Sequence, residues 1–203
     1  MVAGRLWDNA RASFFQRFFG PGLSTRESAE SHLTAWWRCV PSVDPRLQPL
    51  VEAYIRNGIV SSAAEFMSRA IPYALHGDAV PCTKRMSLDA ISFSSCLPDC
   101  LSTIDAKWLI CGILGRCKAK RSLEVMWSVV IWALSVFSSG TYPLTDFENK
   151  QWAPGSDEAQ ASGSYFSGGF FFVCWMIRGD LDYFSNYLGL NNFNSLFPCW
   201  WCD

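Results

Sequence analysis

Two aspartates carry the side chains best suited to metal-dependent chemistry. Asp78 ends a predicted strand, and Asp180 directly follows a later predicted strand. If the two strands are neighbours, the carboxylates meet at one end of the sheet. Paired carboxylates can hold Mg²⁺ or Mn²⁺ for phosphodiester chemistry, because hard divalent cations prefer oxygen ligands. Asp182 lies two residues beyond Asp180 and is an alternative ligand at the same place.

Each of these acids also has a structural interpretation. Asp78 follows a glycine and is compatible with a turn. Asp180 and Asp182 lie at the start of a predicted helix, where an aspartate commonly caps the first turn or is stabilised by the helix dipole. His76 projects from the same face of an extended strand as Asp78, and it is either a general base or a hydrogen-bonded polar residue. The sequence leaves both interpretations open.

A second candidate metal site lies in the terminal segment Cys199-Trp200-Trp201-Cys202. Two thiolates at this spacing can share one tetrahedral zinc ion, and they supply half of its ligands. Cys174 and His76 are candidates for the other ligands, and a pair of free thiols is the alternative interpretation. The chain has nine cysteines, an odd number in a chain of this size, which favours a reducing compartment and an intracellular location.

A short basic segment, formed by Lys118, Lys120 and Arg121, could contact the phosphate backbone of DNA. Residues 84–121 contain seven basic and three acidic side chains, whereas residues 122–203 contain two basic and eight acidic ones. One part could bind phosphate while the other binds metal, although a solvated surface explains these charges equally. The net charge of −1 excludes an overall attraction to nucleic acid or to an anionic membrane.

Aromatic residues make up 15% of the 203 residues and include ten tryptophans. Trp36-Trp37, Trp200-Trp201 and Phe170-Phe171-Phe172 could line a ligand pocket or stack on bases, but packing in the core is the expected role. With 50% hydrophobic and 17% charged residues, the composition excludes a disordered chain.

The elements around these residues decide whether the side chains can act together. Residues 1–69 show the apolar spacing of helices and are expected to form a helical N-terminal region. From residue 70 the pattern changes to strands, predicted over 71–80, 86–97 and 104–114. The elements expected after them are a helix over 123–137, a long polar loop over 140–169, a strand over 170–177 and a helix over 181–190.

This order predicts a mixed α/β domain over residues 70–203. Three antiparallel strands are followed by a helix that crosses over to a fourth strand, which then lies parallel to the first. The same arrangement opens an RNase H-like sheet, and it would bring Asp78 and Asp180 together. A structure that separated the two carboxylates would instead favour a non-enzymatic interaction protein with exposed aromatic residues.

Five short segments resemble the transposon-derived reading frames of certain protist genomes. That group is similar to eukaryotic DDE-type transposases, whose RNase H-like core is accompanied by zinc-binding cysteines. The resemblance covers roughly residues 70–203, and the segments that carry it are His76–Asp78, Ser87–Ser92, Asp105–Leu109, Gly179–Tyr183 and Pro198–Cys202.

The resemblance implies a phosphodiester-transfer enzyme that acts on DNA in the nucleus. Asp78 would be its first catalytic acid and Asp180 its second. A third Asp or Glu is expected well downstream on a later helix, whereas the sequence ends at Asp203. The expectation is therefore a truncated, inactive remnant with weak Mg²⁺ binding, unless another acid substitutes. No small-molecule cofactor is expected.

The most apolar stretches, 126–137 and 170–177, are shorter than the roughly 20 residues that cross a bilayer. They are expected to lie in the core, and membrane association is the alternative. Residues 1–23 lack the apolar segment of a secretory signal but have helical spacing and only one acid. We expect this arm to dock onto the domain, with mitochondrial targeting as the alternative.

Overall fold

Helices precede the sheet in the computed structural model, which describes residues 8–40, 44–83, 86–97, 107–186 and 188–190. The local sequence explains two of the helix starts. The Thr25 and Ser62 hydroxyls each accept a backbone N–H of the first turn, both at 3.2 Å, and so act as N-caps. The helices are α1 (Arg11–Phe19), α2 (Arg26–Cys39), α3 (Leu47–Arg56) and α4 (Ala63–Arg69).

Four strands form one mixed sheet in the order β3-β2-β1-β4. β2 is antiparallel to β1 and to β3, whereas β4 is parallel to β1. The prediction of a mixed α/β fold with one parallel strand pair is therefore confirmed. The strands are β1 (Ala70–Thr83), β2 (Met86–Ser95), β3 (Trp108–Leu114) and β4 (Phe171–Arg178).

The connection from β3 to β4 contains the longest helix among the described residues. A 3₁₀ turn (Gly115–Cys117) leads into α5 (Ser122–Ser139), which crosses the sheet in contact with both β3 and β4. Two short helices complete the fold, α6 (Asp157–Ala161) before β4 and α7 (Leu181–Asn186) after it.

Strand β1 is longer than the predicted 71–80. It continues through Pro81 to Thr83, and its register against β2 shifts between these two residues. An irregularity of this kind accommodates a proline, because proline has no N–H for the strand ladder. The predicted start of β3 at residue 104 lies outside the described residues.

Aromatic rings fill the core on both faces of the sheet. On one face, Phe137 of α5 lies 4.8 Å from Phe93, and Phe18 of α1 lies 5.1 Å from Phe172, between ring centroids. On the other face, the buried Trp37 donates its indole N–H to the Ala70 carbonyl at 2.7 Å. The N-terminal helices and the sheet therefore share one core.

The aromatic runs of the sequence take the expected packing role where the structure describes them. Trp37 and the run Phe170-Phe171-Phe172 are buried, and Trp36 packs edge-on against Trp37 with ring centroids 4.7 Å apart. Trp200-Trp201 lies outside the described residues.

Helix α5 extends beyond the predicted 123–137 to 18 residues. In the part of the chain that the structure describes, it is the one helix long and apolar enough to cross a membrane by length and composition. The core helix of a soluble protein meets the same criterion, but such a helix is mostly buried. Only 22% of α5 is buried, and Val125 and Ile131 are 52% and 60% exposed. The expectation that membranes are not a partner stays a prediction.

Candidate functional site at the ends of strands β1 and β4

The parallel pairing of β1 with β4 directs Asp78 and Asp180 to the same end of the sheet. The last paired residues are His76 and Arg178, and each aspartate lies two residues further along its chain. Side chains of an extended strand return to the same face every second residue, so Asp78 projects from the face of His76. Asp78 therefore lies within β1, beyond its last pair with β4, and Asp180 follows β4, a neighbouring strand that runs in the same direction.

Asp180 begins α7 and has a structural role there. Its carboxylate Oδ1 accepts the backbone N–H of Tyr183 at 2.7 Å, and its carbonyl accepts that of Phe184 at 3.2 Å. This is the geometry of an N-cap, one of the two interpretations that the sequence allows. The cap uses Oδ1, so it is compatible with a ligand role for Oδ2.

The ring of Tyr183 closes the turn between β4 and α7. A Cβ atom at Gly77 would lie 1.8 Å from Tyr183 Cε2, and one at Gly179 would lie 2.5 Å from Cδ1. Real Cβ contacts are never this short, so both positions require glycine while the buried ring stays in place. Because Gly77 alternates with His76 and Asp78, the ring lies on the opposite face from them. It locks α7 against the end of β1.

His76 lies in a group of charged residues from β1, from the start of β3 and from the end of β4. Burial lowers the pKa of its imidazole below the usual 6.5, and the positive charges of Lys107 and Arg178 lower it further. The negative charges of Asp78 and Asp180 raise the pKa and so oppose this decrease in part. The decrease in pKa keeps the imidazole neutral at pH 7. A neutral imidazole beside two carboxylates and two cations can accept a proton or contact a phosphate oxygen.

The face that carries His76 continues onto β2 and β3. Asp78 pairs with Ala90, and His76 pairs with Ser92, which in turn pairs with Leu109. Ser92 is half-buried and Leu109 is 62% exposed. This part of the sheet is therefore accessible, in contrast to the part under the N-terminal helices.

Lys118 of the predicted basic segment lies on the other face. Lys118 forms an ion pair with the buried Asp89, which directly precedes Ala90, the residue that pairs with Asp78. Successive strand residues point to opposite faces, so Lys118 is not brought to the face of Asp78.

The other two basic residues of that segment are more exposed. Arg121 Nε lies 2.8 Å from Glu124 Oε2, and 81% of the arginine side chain is accessible. Lys120 is exposed. DNA binding by these three side chains stays a prediction.

Metal binding receives no direct support from the geometry. Within the described residues, no group of three or more His, Cys, Asp or Glu side chains is arranged to hold a metal ion. Cys199 and Cys202 lie outside the described residues, and so does the Asp182 side chain. Cys174 cannot share a zinc ion with His76 on one face, because it pairs with Tyr73, three residues before His76. Mg²⁺, Mn²⁺ and zinc stay predictions.

Lys107, Arg178 and Tyr183 are parts of this site that sequence reasoning missed. Lys107 and Arg178 lie far apart in the chain and meet only through the sheet. A signal for Tyr183 was present, because each candidate aspartate directly follows a glycine, Gly77 or Gly179, and paired glycines often mark a close approach by another side chain.

The sheet order, the helical crossover and the two aspartates are the features that a related protein would share. The sequence matches no known protein family and no curated protein, and the fold matches no solved structure.

Proposed function

We propose that this chain is an RNase H-like domain of the DDE-transposase type that binds DNA and has lost efficient phosphodiester transfer. The observation that carries the proposal is the parallel register of β1 and β4, which runs to His76 and Arg178 and leads toward Asp78 and Asp180. The sheet order and the crossover through α5 support the same fold.

The side chains fit a divalent cation only in part. Asp78 and Asp180 supply oxygen ligands of the right chemistry, but Asp180 also holds the Tyr183 N–H. A two-metal site normally draws on three or more carboxylates, and no third joins the pair among the described residues. We therefore propose weak Mg²⁺ binding and assign no catalytic step to a metal.

Nucleic-acid binding would use the cationic neighbours of the two aspartates. Lys107 and Arg178 both lie close enough to His76 to lower its pKa, and both side chains are exposed. Cations on an accessible sheet face suit phosphate oxygens, and such binding weakens as salt increases because counterions compete. The negative charges of Asp78 and Asp180 oppose phosphate binding unless a cation neutralises them.

The experiment is a cleavage and strand-transfer assay on the purified full chain with Mg²⁺ or Mn²⁺. It compares the wild type with Asp78→Asn and Asp180→Asn, because asparagine keeps the N-cap while removing the charge. Glu27→Gln, an exposed acid in α2, is the matched control. We expect salt-dependent DNA binding and no efficient cleavage by any of these proteins.

Two outcomes would change this proposal. Strong Mg²⁺-dependent cleavage that both aspartate variants abolish, but the Glu27 variant does not, would establish an active enzyme. If no DNA binding is detected at low salt, the proposal is wrong.

A non-enzymatic interaction protein is the second candidate, and the outward face of α5 favours it. Val125 and Ile131 are exposed on this helix, and an exposed apolar patch marks an interface when it is contiguous. We expect Val125→Ser with Ile131→Gln to reduce self-association or partner binding, measured by sedimentation, while stability changes by less than about 0.5 kcal/mol.

A further inference from the structure

A cavity of about 460 Å³ lies between α5 and the segment that precedes β4. Its walls combine aromatic rings with carboxylates. The aromatic residues are Trp132, Tyr142 and Trp152, and the acidic residues are Asp8, Asp157 and Glu158. The cavity lining shares no residue with the site around Asp78 and Asp180, and it differs from that site in chemistry because aromatic rings form part of its walls.

Backbone hydrogen bonds hold two of these rings in position. The indole N–H of Trp132 donates to the Thr145 carbonyl at 3.1 Å, and that of Trp152 donates to the Pro143 carbonyl at 2.8 Å. Each indole therefore has its polar edge satisfied by the protein. Rings fixed in advance lose little conformational freedom when a ligand binds.

The segment that carries Tyr142 and Trp152 is folded rather than extended. The Tyr142 N–H donates to the Ser164 carbonyl at 2.8 Å, and the Tyr142 carbonyl accepts the Gly163 N–H at 2.9 Å. A further bridge joins Thr145 to Gln151. The predicted loop over 140–169 is thus a compact unit that can present a preformed site.

The charge around the cavity is negative. Residues 140–169 contain four acidic side chains and one basic one, Lys150, which forms an ion pair with Glu148. Among the described residues that line the cavity, three carry a carboxylate and none is basic. The field in the cavity therefore favours a cation.

We propose that this cavity binds a quaternary ammonium group. Aromatic rings attract a cation through their negative faces, and a quaternary ammonium suits them best because it has no N–H to donate and is weakly hydrated. The carboxylates in the cavity walls add electrostatic attraction for the positive charge. The volume lies within the range of small-molecule sites and leaves room for the chain that carries the ammonium.

Two sources can supply this group, a free small molecule such as choline or a trimethyl-lysine side chain of a peptide. The test records ¹H–¹⁵N spectra of the full chain while choline is added, and it follows the indole N–H signals of Trp132 and Trp152. The matched ligand is 3,3-dimethylbutan-1-ol, which has the shape of choline without its charge. We expect choline to shift both signals and to bind at least about tenfold more tightly than the alcohol.

Variants connect the shifts to the cavity. We expect Trp152→Leu to weaken choline binding by about tenfold or more. Since that variant also loses a hydrogen bond and risks misfolding, Asp157→Asn with Glu158→Gln provides a second test at exposed positions, with a several-fold loss expected. Phe147→Leu and Glu148→Gln alter the same segment outside the cavity lining and should leave the affinity unchanged.

The outcomes separate the proposal from its alternatives. Equal binding of choline and the uncharged alcohol, or indole signals that choline does not move, would overturn it. A trimethyl-lysine peptide that binds more tightly than both choline and the same peptide with unmodified lysine identifies a protein partner. Choline binding that the peptide does not exceed assigns the site to a free small molecule.

Discussion

The protonation of His76 depends on burial and on four charged neighbours. Burial and Lys107 lower the pKa of the imidazole, Asp78 and Asp180 oppose that decrease, and Arg178 adds to it. In the unfolded chain the group titrates near its usual 6.5, so below this pH the unfolded state binds more protons than the folded state. The free energy of unfolding should therefore fall as the pH is lowered from about 6.5 toward the folded-state pKa. It should be fully restored above pH 6.5.

The measurement compares urea unfolding of the wild type and His76→Gln at several pH values between 5 and 8. We expect the variant to lose part of the decrease in unfolding free energy below pH 6.5. An NMR titration identifies His76 as the imidazole signal that the variant lacks. A midpoint above 6.5 would show that the two aspartates outweigh burial and the two cations.

The carboxylate of Asp180 can be tested as a cap separately from any ligand role. Asp180→Ala should reduce stability by about 0.5–2 kcal/mol, because the Tyr183 N–H loses its acceptor. Asp180→Asn should retain most of that stability, since its amide oxygen still accepts. Amide hydrogen exchange at Tyr183 reports the effect locally. Equal protection of this amide in the alanine variant and in the wild type would contradict the N-cap assignment.

At the scale of elements, the contact of Tyr183 with Gly77 fixes how α7 meets the sheet. We expect Gly77→Ala to destabilise the fold by about 1–3 kcal/mol, because the added methyl group overlaps the ring. Urea unfolding measures the loss. The Gly77→Ala substitution should also increase hydrogen exchange in α7 more than in β2.

A double-mutant cycle tests the cause of that loss. If the overlap is responsible, Gly77→Ala should cost much less in a Tyr183→Ala background, in which the ring is absent. A cost that is the same in both backgrounds would point to the strand conformation of Gly77 instead.

At the scale of the whole molecule, the N-terminal helices are part of the core of the sheet. Trp37 of α2 is fully buried, bonds to the Ala70 carbonyl at 2.7 Å and packs edge-on against Trp175 of β4. Removal of this side chain leaves a cavity between helices and sheet. The two regions should therefore unfold together.

We expect Trp37→Ala to lower the unfolding free energy by about 3–5 kcal/mol. Far-UV circular dichroism and tryptophan fluorescence should follow one transition, because helices and sheet lose the same contacts. Trp36→Ala is the matched control and should cost less, since Trp36 is only half-buried. Two separate transitions in the wild type would contradict a shared core.

Much of the fold could be predicted because the signals are local. Turn residues separate the apolar runs of β1 and β2, and the apolar stretch of α5 is too long for a strand. A crossover helix of this kind returns the chain to a parallel strand, and the RNase H-like order of elements led to the expectation that this strand is β4 beside β1. The extension of β1 through Pro81 was missed, because a bulge depends on the partner strand.

The amino-acid sequence was enough to predict the element types, their order and the placement of Asp78 on β1 and of Asp180 just after β4. Three features became apparent in the folded chain alone: Asp180 caps α7, Lys118 pairs with Asp89 on the opposite face, and rings from distant segments line one cavity. The physical reason is register. A shift of one residue moves every side chain of a strand to the other face, and local composition does not encode which residues of distant elements then meet.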